Sequence, residues 1–348
     1  MQVVQIVKKF GPVGGMEDYV FRLSVALFKS GCNISVLCEE NHSREMEEIE
    51  VIELGVNSKP HWLSHFKFSK KVDQWLARNP QNQRIVHSHE RQSAHHITTF
   101  HTTPYNLHKP WIKKWLSLRN FFYEKLEERE LFGRNINAIV PVSNLLGDLI
   151  KKKHPESANF LRSAIHPGVD MRKPDPQAMK AIPLDGGTIG FIGKEWKRKG
   201  LPKVFSIWRE LKKKRPNLKL KIAGVKAESI SHLLEESDVG VDILGVIKDK
   251  ESFYQSIDLL VHPAKLEAFG MVITEALVMN ISVLCSKECG ASEVQFPPHG
   301  IALPHKYKNS FWIKAAEHLL CANSNNLYER KWKDVALEYE KVYKKLLN

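Results

Sequence analysis

Between Val3 and Leu37 the chain spells out a strand, a glycine loop, a helix and a second strand. Val3, Val4, Ile6 and Val7 form a short apolar run, and Gly11, Gly14 and Gly15 follow it. Tyr19, Val20, Leu23, Ala26 and Leu27 then recur at helical spacing, Gly31 stops the helix, and residues 34–37 return to an apolar run. Such units lead to a parallel sheet covered by helices, because the crossover between parallel strands has to pass over a sheet face. The alternation predicts further strands at 84–89, 97–101 and 138–142 and a long amphipathic helix at 111–132, with Ser143 placed to cap the helix after it. Residues 166–183 hold four prolines and Gly168 and break the pattern. It restarts beyond them, with a strand at 188–192, a helix at 201–214, a strand at 219–223 and further pairs up to 283–285.

Two such blocks imply an α/β chain of two Rossmann-like domains, residues 1–167 and 168–325, joined by the proline-rich segment. A periodic helix in 326–348 (Trp332, Val335, Ala336, Tyr339, Val342, Leu346) is expected to pack back on the N-terminal domain. Ligands of these sheets bind outside the carboxyl ends of the strands, so parallel sheets facing a central cleft are expected. The 348 residues, 43% of them hydrophobic, suffice for two cores. A net charge of +13 attracts anions, whether nucleic acid, lipid head groups or phosphorylated small molecules. No apolar run reaches the roughly 18 residues of a membrane span, and no secretory signal pattern opens the chain. Cys32, Cys38, Cys285, Cys289 and Cys321 are few and scattered, which suits reduced thiols and a cytoplasmic location. The absence of short repeats excludes solenoids and propellers.

The stretch from His262 to Leu277 holds the densest chemistry. It leaves a strand, carries Glu267 in a loop and opens a helix near Gly270. The unpaired N–H groups of Gly270, Met271 and Val272 would form an anion site, with no Gly270 side chain to block a phosphate. Glu267 and Glu275 could accept hydrogen bonds from sugar hydroxyls. The same pattern also reads as an ordinary helix start with acids near its positive end.

Two acids separated by seven residues in Glu267-Ala268-Phe269-Gly270-Met271-Val272-Ile273-Thr274-Glu275 resemble the E-x7-E signature of the retaining GT-B glycosyltransferases of the GT4 family. Gly14-Gly15, Val142-Ser143, His166-Pro167-Gly168-Val169-Asp170, Phe191 to Gly200, Leu244-Gly245 and Gly300 to Pro304 resemble further landmarks of that family in order. The resemblance covers nearly the whole chain and implies the GT-B fold. It implies that Glu275 binds the nucleotide ribose, that Glu267 faces the donor sugar, and that Lys199 neutralises the donor diphosphate. Gly14, Gly15, Lys194, Arg198, Phe269, Gly270, Met271 and Val272 join the donor site on the same grounds. Lys194 stands where the family usually has arginine, so Arg198 is the candidate guanidinium. Ala268 replaces a common glycine, and the segment 289–293 departs from the family's G-G-x-x-E loop. Thr99-Phe100-His101-Thr102 resembles a strand end whose histidine lies near the reacting sugar, which implies a catalytic set of His101, Glu267 and Lys199.

His87, His89, His95, His96, His101 and His108 crowd one window and also permit a metal site, but the spacing lacks the fixed ligands of a closed zinc centre. His89 reads equally as a second site residue or as a satisfied core histidine. Cys285 and Cys289 have no obvious partner pair, and no Asp-x-Asp triplet suggests a bound metal. The expectation is no cofactor and no metal, with a UDP-sugar, a GDP-sugar or ADP-heptose as donor. The acceptor is expected to be a saccharide or a lipid-linked glycan, as in bacterial lipopolysaccharide and cell-surface glycan enzymes. Residues 111–122 mix aromatics with bases, which reads as a basic outer face of a core helix or as a peripheral contact with an anionic membrane. Two other classes stay open: a basic binding protein without catalysis, for membrane or nucleic acid, and a sugar-nucleotide epimerase or phosphorylase on the same fold. No nucleic-acid-binding motif supports a nucleic-acid partner.

Overall fold

The computed structural model describes the chain except for residues 44–47, 57–60, 82, 106, 108–116, 175–180, 295–298, 322–327 and 348. It divides into two compact units, one of Met1–Gly168 with Arg330–Asn348, the other of Val169–Glu329. Each is built on a six-stranded parallel sheet.

In the first unit the strands are β1 (Gln2–Ile6), β3 (Asn33–Cys38), β5 (Glu50–Glu53), β6 (Arg84–Ser88), β7 (Ile97–Phe100) and β8 (Ala138–Pro141). They run in the order β5-β3-β1-β6-β7-β8. The short strands β2 (Lys9–Phe10) and β4 (Glu40–Asn41) pair beside them. The sheet is covered on both faces, which is why Val3, Val4, Ile6, Val36, Leu37, Ile85, Ile139 and Val140 are all buried without alternation. Gly14 starts the helix Gly15–Lys29, which buries Tyr19, Val20, Leu23 and Leu27. Ser143 caps the helix Asn144–Lys153 through a 3.1 Å bond from Leu146 N–H to its Oγ. In place of the helix predicted over 111–132, a helix runs Leu118–Leu131 and starts after an extended Ser117 N-cap; residues 111–116 of the prediction lie outside the described residues.

The tail helix is Trp332–Leu347 and belongs to this first unit. It starts at Trp332, the first residue of its apolar period, and residues 328–331 before it are not helical. Lys331 N–H bonds to the Asp334 carboxylate at 3.2 Å, and Arg330 Nε bonds to the His166 carbonyl at 3.0 Å, so the chain is held non-helical there. Its buried face carries Val335, Ala336, Tyr339 and Tyr343.

The second unit repeats the plan with β9 (Thr188–Ile192), β10 (Lys219–Ala223), β11 (Val241–Gly245), β12 (Leu259–His262), β13 (Ser282–Ser286) and β14 (Gly300–Leu303). Their order is β11-β10-β9-β12-β13-β14, all parallel. Its core joins Ile189, Phe191 and Leu220 of the sheet to Trp208 of the helix Leu201–Lys212 and Trp312 of the helix Asn309–Cys321. In both units the order reverses once, between β1 and β6 and between β9 and β12. Open parallel sheets bind ligands at the carboxyl ends of the strands on such a reversal.

Candidate active site

At the reversal of the second unit, β9 leads into Gly193 and the helical turn Trp196–Lys199, and β12 leads into the loop 263–270. Backbone and side chains stitch the two segments together. Lys265 N–H donates to the Arg198 carbonyl at 3.0 Å. Arg198 Nη1 donates to the Leu266 carbonyl at 2.6 Å and to Glu267 Oε2 at 2.8 Å. Gly200 is required between them, since it lies at φ +85° and a Cβ there would fall 2.3 Å from the Pro263 carbonyl oxygen.

Glu267 sits at the centre of this cluster, and Lys199 Nζ lies 3.6 Å from the same Oε2. Arg198 is spoken for on both sides, because its Nε also donates to Glu195 at 3.0 Å. It therefore works as a brace for Glu267, and Lys199 is the cation with spare donors. Glu267 is held from behind as well: its N–H bonds to the Glu288 carbonyl and its own carbonyl accepts from Gly290. That short bridge brings the segment 288–291, with buried Cys289, beside the carboxylate.

His262 ends β12 fully buried, with Nε2 4.0 Å from Glu267 Oε2. Neither of its ring nitrogens has a hydrogen-bond partner among the described residues. Burial, then the charges of Lys199 and Arg198, hold it well below its ordinary pKa, so it stays neutral beside the two cations.

Gly270 turns the chain at φ +95° and caps the helix Met271–Val278 without any side-chain acceptor. Ile273 N–H is the first to bond back to it, which leaves the N–H groups of Gly270, Met271 and Val272 unused by the helix. Phe269 is buried, and its carbonyl accepts from Ala291 N–H at 2.7 Å. Glu275 lies one turn further in, buried, with Lys250 Nζ 2.7 Å from one oxygen and the Tyr254 hydroxyl 2.7 Å from the other. Burial and the Glu275 charge push the Tyr254 hydroxyl well up, so it remains the donor. Lys194 stands apart and exposed, with no carboxylate partner among the described residues. Lys250, Tyr254 and His262 were not singled out from the sequence, because only the packing of separate elements shows what a lysine or tyrosine reaches.

In the first unit Gly14 and Gly15 follow β1 and β2, and the Glu17 carboxylate folds over Gly14. The helix they open brings Tyr19 edge-on to the His101 ring, centroids 4.7 Å apart. His89 and His101 sit just past the carboxyl ends of β6 and β7, linked Nδ1 to Nε2 at 2.9 Å. His87 is buried beneath them, its ring 4.2 Å from that of His89. His95 Nε2 donates to the Glu130 carbonyl, and His96 Nδ1 accepts from Val86 N–H, so both serve the backbone. Among the described residues no three His, Cys, Asp or Glu side chains converge as metal ligands; His108 lies outside them.

Two sequence-family descriptions match the chain, "Glycosyl transferases group 1" over residues 174–301 and "Glycosyltransferase Family 4" over 13–173. A lipopolysaccharide 1,2-N-acetylglucosaminetransferase of Salmonella typhimurium is 27% identical over 183 residues, 48% of each chain. Across the curated relatives the matched stretch spans from 30% to 48% of their length. Among solved structures, WaaG, a glycosyltransferase involved in lipopolysaccharide biosynthesis, superposes with a TM-score of 0.78 at 18% identity, covering 99% of both chains. An Anabaena protein, HepE, in complex with UDP and glucose superposes at 0.69 with 15% identity, covering 99% of this chain and 100% of that one. With two parallel-sheet units and family matches running from residue 13 to residue 301, the chain belongs to the group 1 glycosyltransferases of family 4 and has the GT-B fold.

Proposed function

We propose that the protein is a retaining, metal-independent glycosyltransferase. It moves a sugar from a nucleoside-diphosphate sugar to a saccharide or lipid-linked acceptor in bacterial lipopolysaccharide or cell-surface glycan synthesis. The observation that carries this reading is the cluster of Lys199, Arg198, Glu267 and the open helix start at Gly270, all on the sheet reversal of one unit. When the bond between the sugar's anomeric carbon and the phosphate oxygen breaks, negative charge builds on the diphosphate. Lys199 and the N–H groups of Gly270, Met271 and Val272 stabilise that charge as fixed cations and dipoles. The acceptor oxygen bonds to the same face of the sugar and its proton leaves with the diphosphate. Glu267 holds the donor sugar, Glu275 reaches the ribose, and His101 meets a sugar hydroxyl. The Salmonella relative and WaaG, both named for lipopolysaccharide, favour this acceptor class, and HepE with UDP and glucose favours a UDP-sugar among the donors. The free state of all five cysteines fits work in a reducing compartment.

Thermal unfolding with UDP, GDP, ADP and CMP, each with and without magnesium, tests this directly. One diphosphate is expected to raise the midpoint equally in both conditions, and Lys199→Ala to remove most of the shift. No shift with any nucleotide would remove the donor site, and a shift that needs magnesium would remove metal independence.

A further inference from the structure

Gln5 sits in the middle of β1, between Val4 and Ile6, and is fully buried. A buried amide has to place a carbonyl acceptor and two N–H donors. Its Oε1 lies 2.7 Å from His89 Nε2 and its Nε2 lies 3.5 Å from the Tyr343 hydroxyl. Only an N–H can meet a carbonyl oxygen, so His89 carries its proton on Nε2 and keeps a bare Nδ1. That Nδ1 is 2.9 Å from His101 Nε2, which must then be the protonated nitrogen of His101. Burial keeps both rings neutral, His89 well below its ordinary pKa and His101 pushed down to about 3. His87 and His89 are buried, while His101 is half-buried, so the relay ends at the ring that solvent or a ligand reaches.

With the amide in this direction, the bonds at its other end can all follow in one sense. Tyr343 accepts from Gln5 and donates its own proton to His87 Nδ1 at 2.7 Å. His87 Nε2–H then donates to Thr99 Oγ1 at 2.7 Å, Thr99 to the Tyr339 hydroxyl at 2.6 Å, and Tyr339 to Tyr19 at 2.9 Å. In each of these bonds one donor meets one acceptor. Reversing the amide would reverse each step and turn His101 Nδ1 into an N–H.

We propose that Gln5, acting through His89, is a positioning residue that holds His101 as the Nε2–H tautomer, so that bare Nδ1 is presented as hydrogen-bond acceptor to a sugar hydroxyl. The sugar contact rests on the role of His101 proposed above; the tautomer does not. Side-chain ¹⁵N spectra of histidine-labelled full chain, with His101 assigned by its loss in His101→Gln, read the tautomer without turnover. The expected result is a protonated-type shift at Nε2 and a bare-type shift at Nδ1. Gln5→Leu is expected to move both toward the values of a mixed tautomer, and Gln5→Glu, which keeps an acceptor for His89, to restore them. Gln5→Leu is also expected to lower kcat by about tenfold, the scale of one hydrogen bond, with nucleotide affinity unchanged. A proton on His101 Nδ1 in the native chain, or a pattern that Gln5→Leu leaves unmoved, would overturn the proposal. If Gln5→Leu does not fold, the native spectrum and Gln5→Glu still decide it. A native chain with the expected tautomer but no transfer activity would fail the glycosyltransferase reading alone.

Discussion

Glu267 meets its cations through one oxygen. Oε2 takes Arg198 at 2.8 Å and Lys199 at 3.6 Å, and Oε1 carries no partner among the described residues. The carboxylate is thereby held in place and still has lone pairs for a sugar hydroxyl. Glu267→Gln keeps the size, loses the charge and weakens the grip of Arg198. The expected outcome is a fall in kcat of about 10²–10³-fold, the loss seen when one preorganised polar partner of a transition state is removed. Nucleotide affinity, measured by the same thermal shift, should change little. A variant that keeps native kcat would take Glu267 out of the reaction. Spacing alone exposes the pair Glu267 and Glu275, because loop and helix are local. It does not reveal that Lys250 and Tyr254 occupy both Glu275 oxygens, since those residues arrive from another helix.

At the scale of elements, the helix Leu118–Leu131 leaves Leu118 79% exposed and Phe121 42% exposed. Beside it lies a cavity of about 640 Å³ whose lining includes Phe66, Phe121, Phe122, Lys125 and Arg129 together with the acids Glu128 and Glu156, with the Arg129 guanidinium 5.0 Å from the Phe66 ring centroid. Exposed Leu118 and Phe121 with Lys125 and Arg129 nearby would favour an anionic membrane surface, and Glu128 and Glu156 would oppose it. The full chain should therefore sediment with vesicles containing anionic lipid and not with neutral ones, and Phe121→Ser should weaken that binding several-fold. Binding to neither would leave the acceptor to reach the protein without the membrane, and equal binding to both would take lipid charge out of the contact. Among the described residues no helix is long and apolar enough to cross a membrane. Many of the strands and helices were legible from periodicity and glycine placement, including the tail helix from Trp332, while the strand Glu50–Glu53 and the helix His61–Arg78 were not read from the sequence.

At the scale of the whole molecule, buried titratable groups set how stability varies with pH. His87 and His89 are held well below 6.5 by burial, His95 at about 4 and His101 at about 3. The unfolded chain binds more protons at these sites below pH 6.5, so their contribution is complete above 6.5 and is lost as pH falls. Burial acts in the opposite sense on Glu90, raised to about 7, and Glu130, raised to about 8. The folded chain holds those protons above the ordinary 4.5, so stability falls as pH rises from there toward 8. Tm is expected to peak near pH 6.5 and drop on both sides. Glu130→Gln should flatten the alkaline side and leave the acid side, measured by unfolding from pH 4 to pH 9. An unchanged alkaline slope would assign that loss to other groups.

The sequence by itself determined the two α/β units with parallel sheets and the family, because apolar period, glycine turns and helix starts are properties of consecutive residues. Only the tertiary structure decided that Gln5 bonds His89, that the tail helix returns Tyr339 and Tyr343 to the histidines, and that Arg198 braces Glu267. Those contacts join residues far apart in the chain, and their hydrogen-bond direction follows from which buried atoms meet, which no pattern along a single strand or helix encodes.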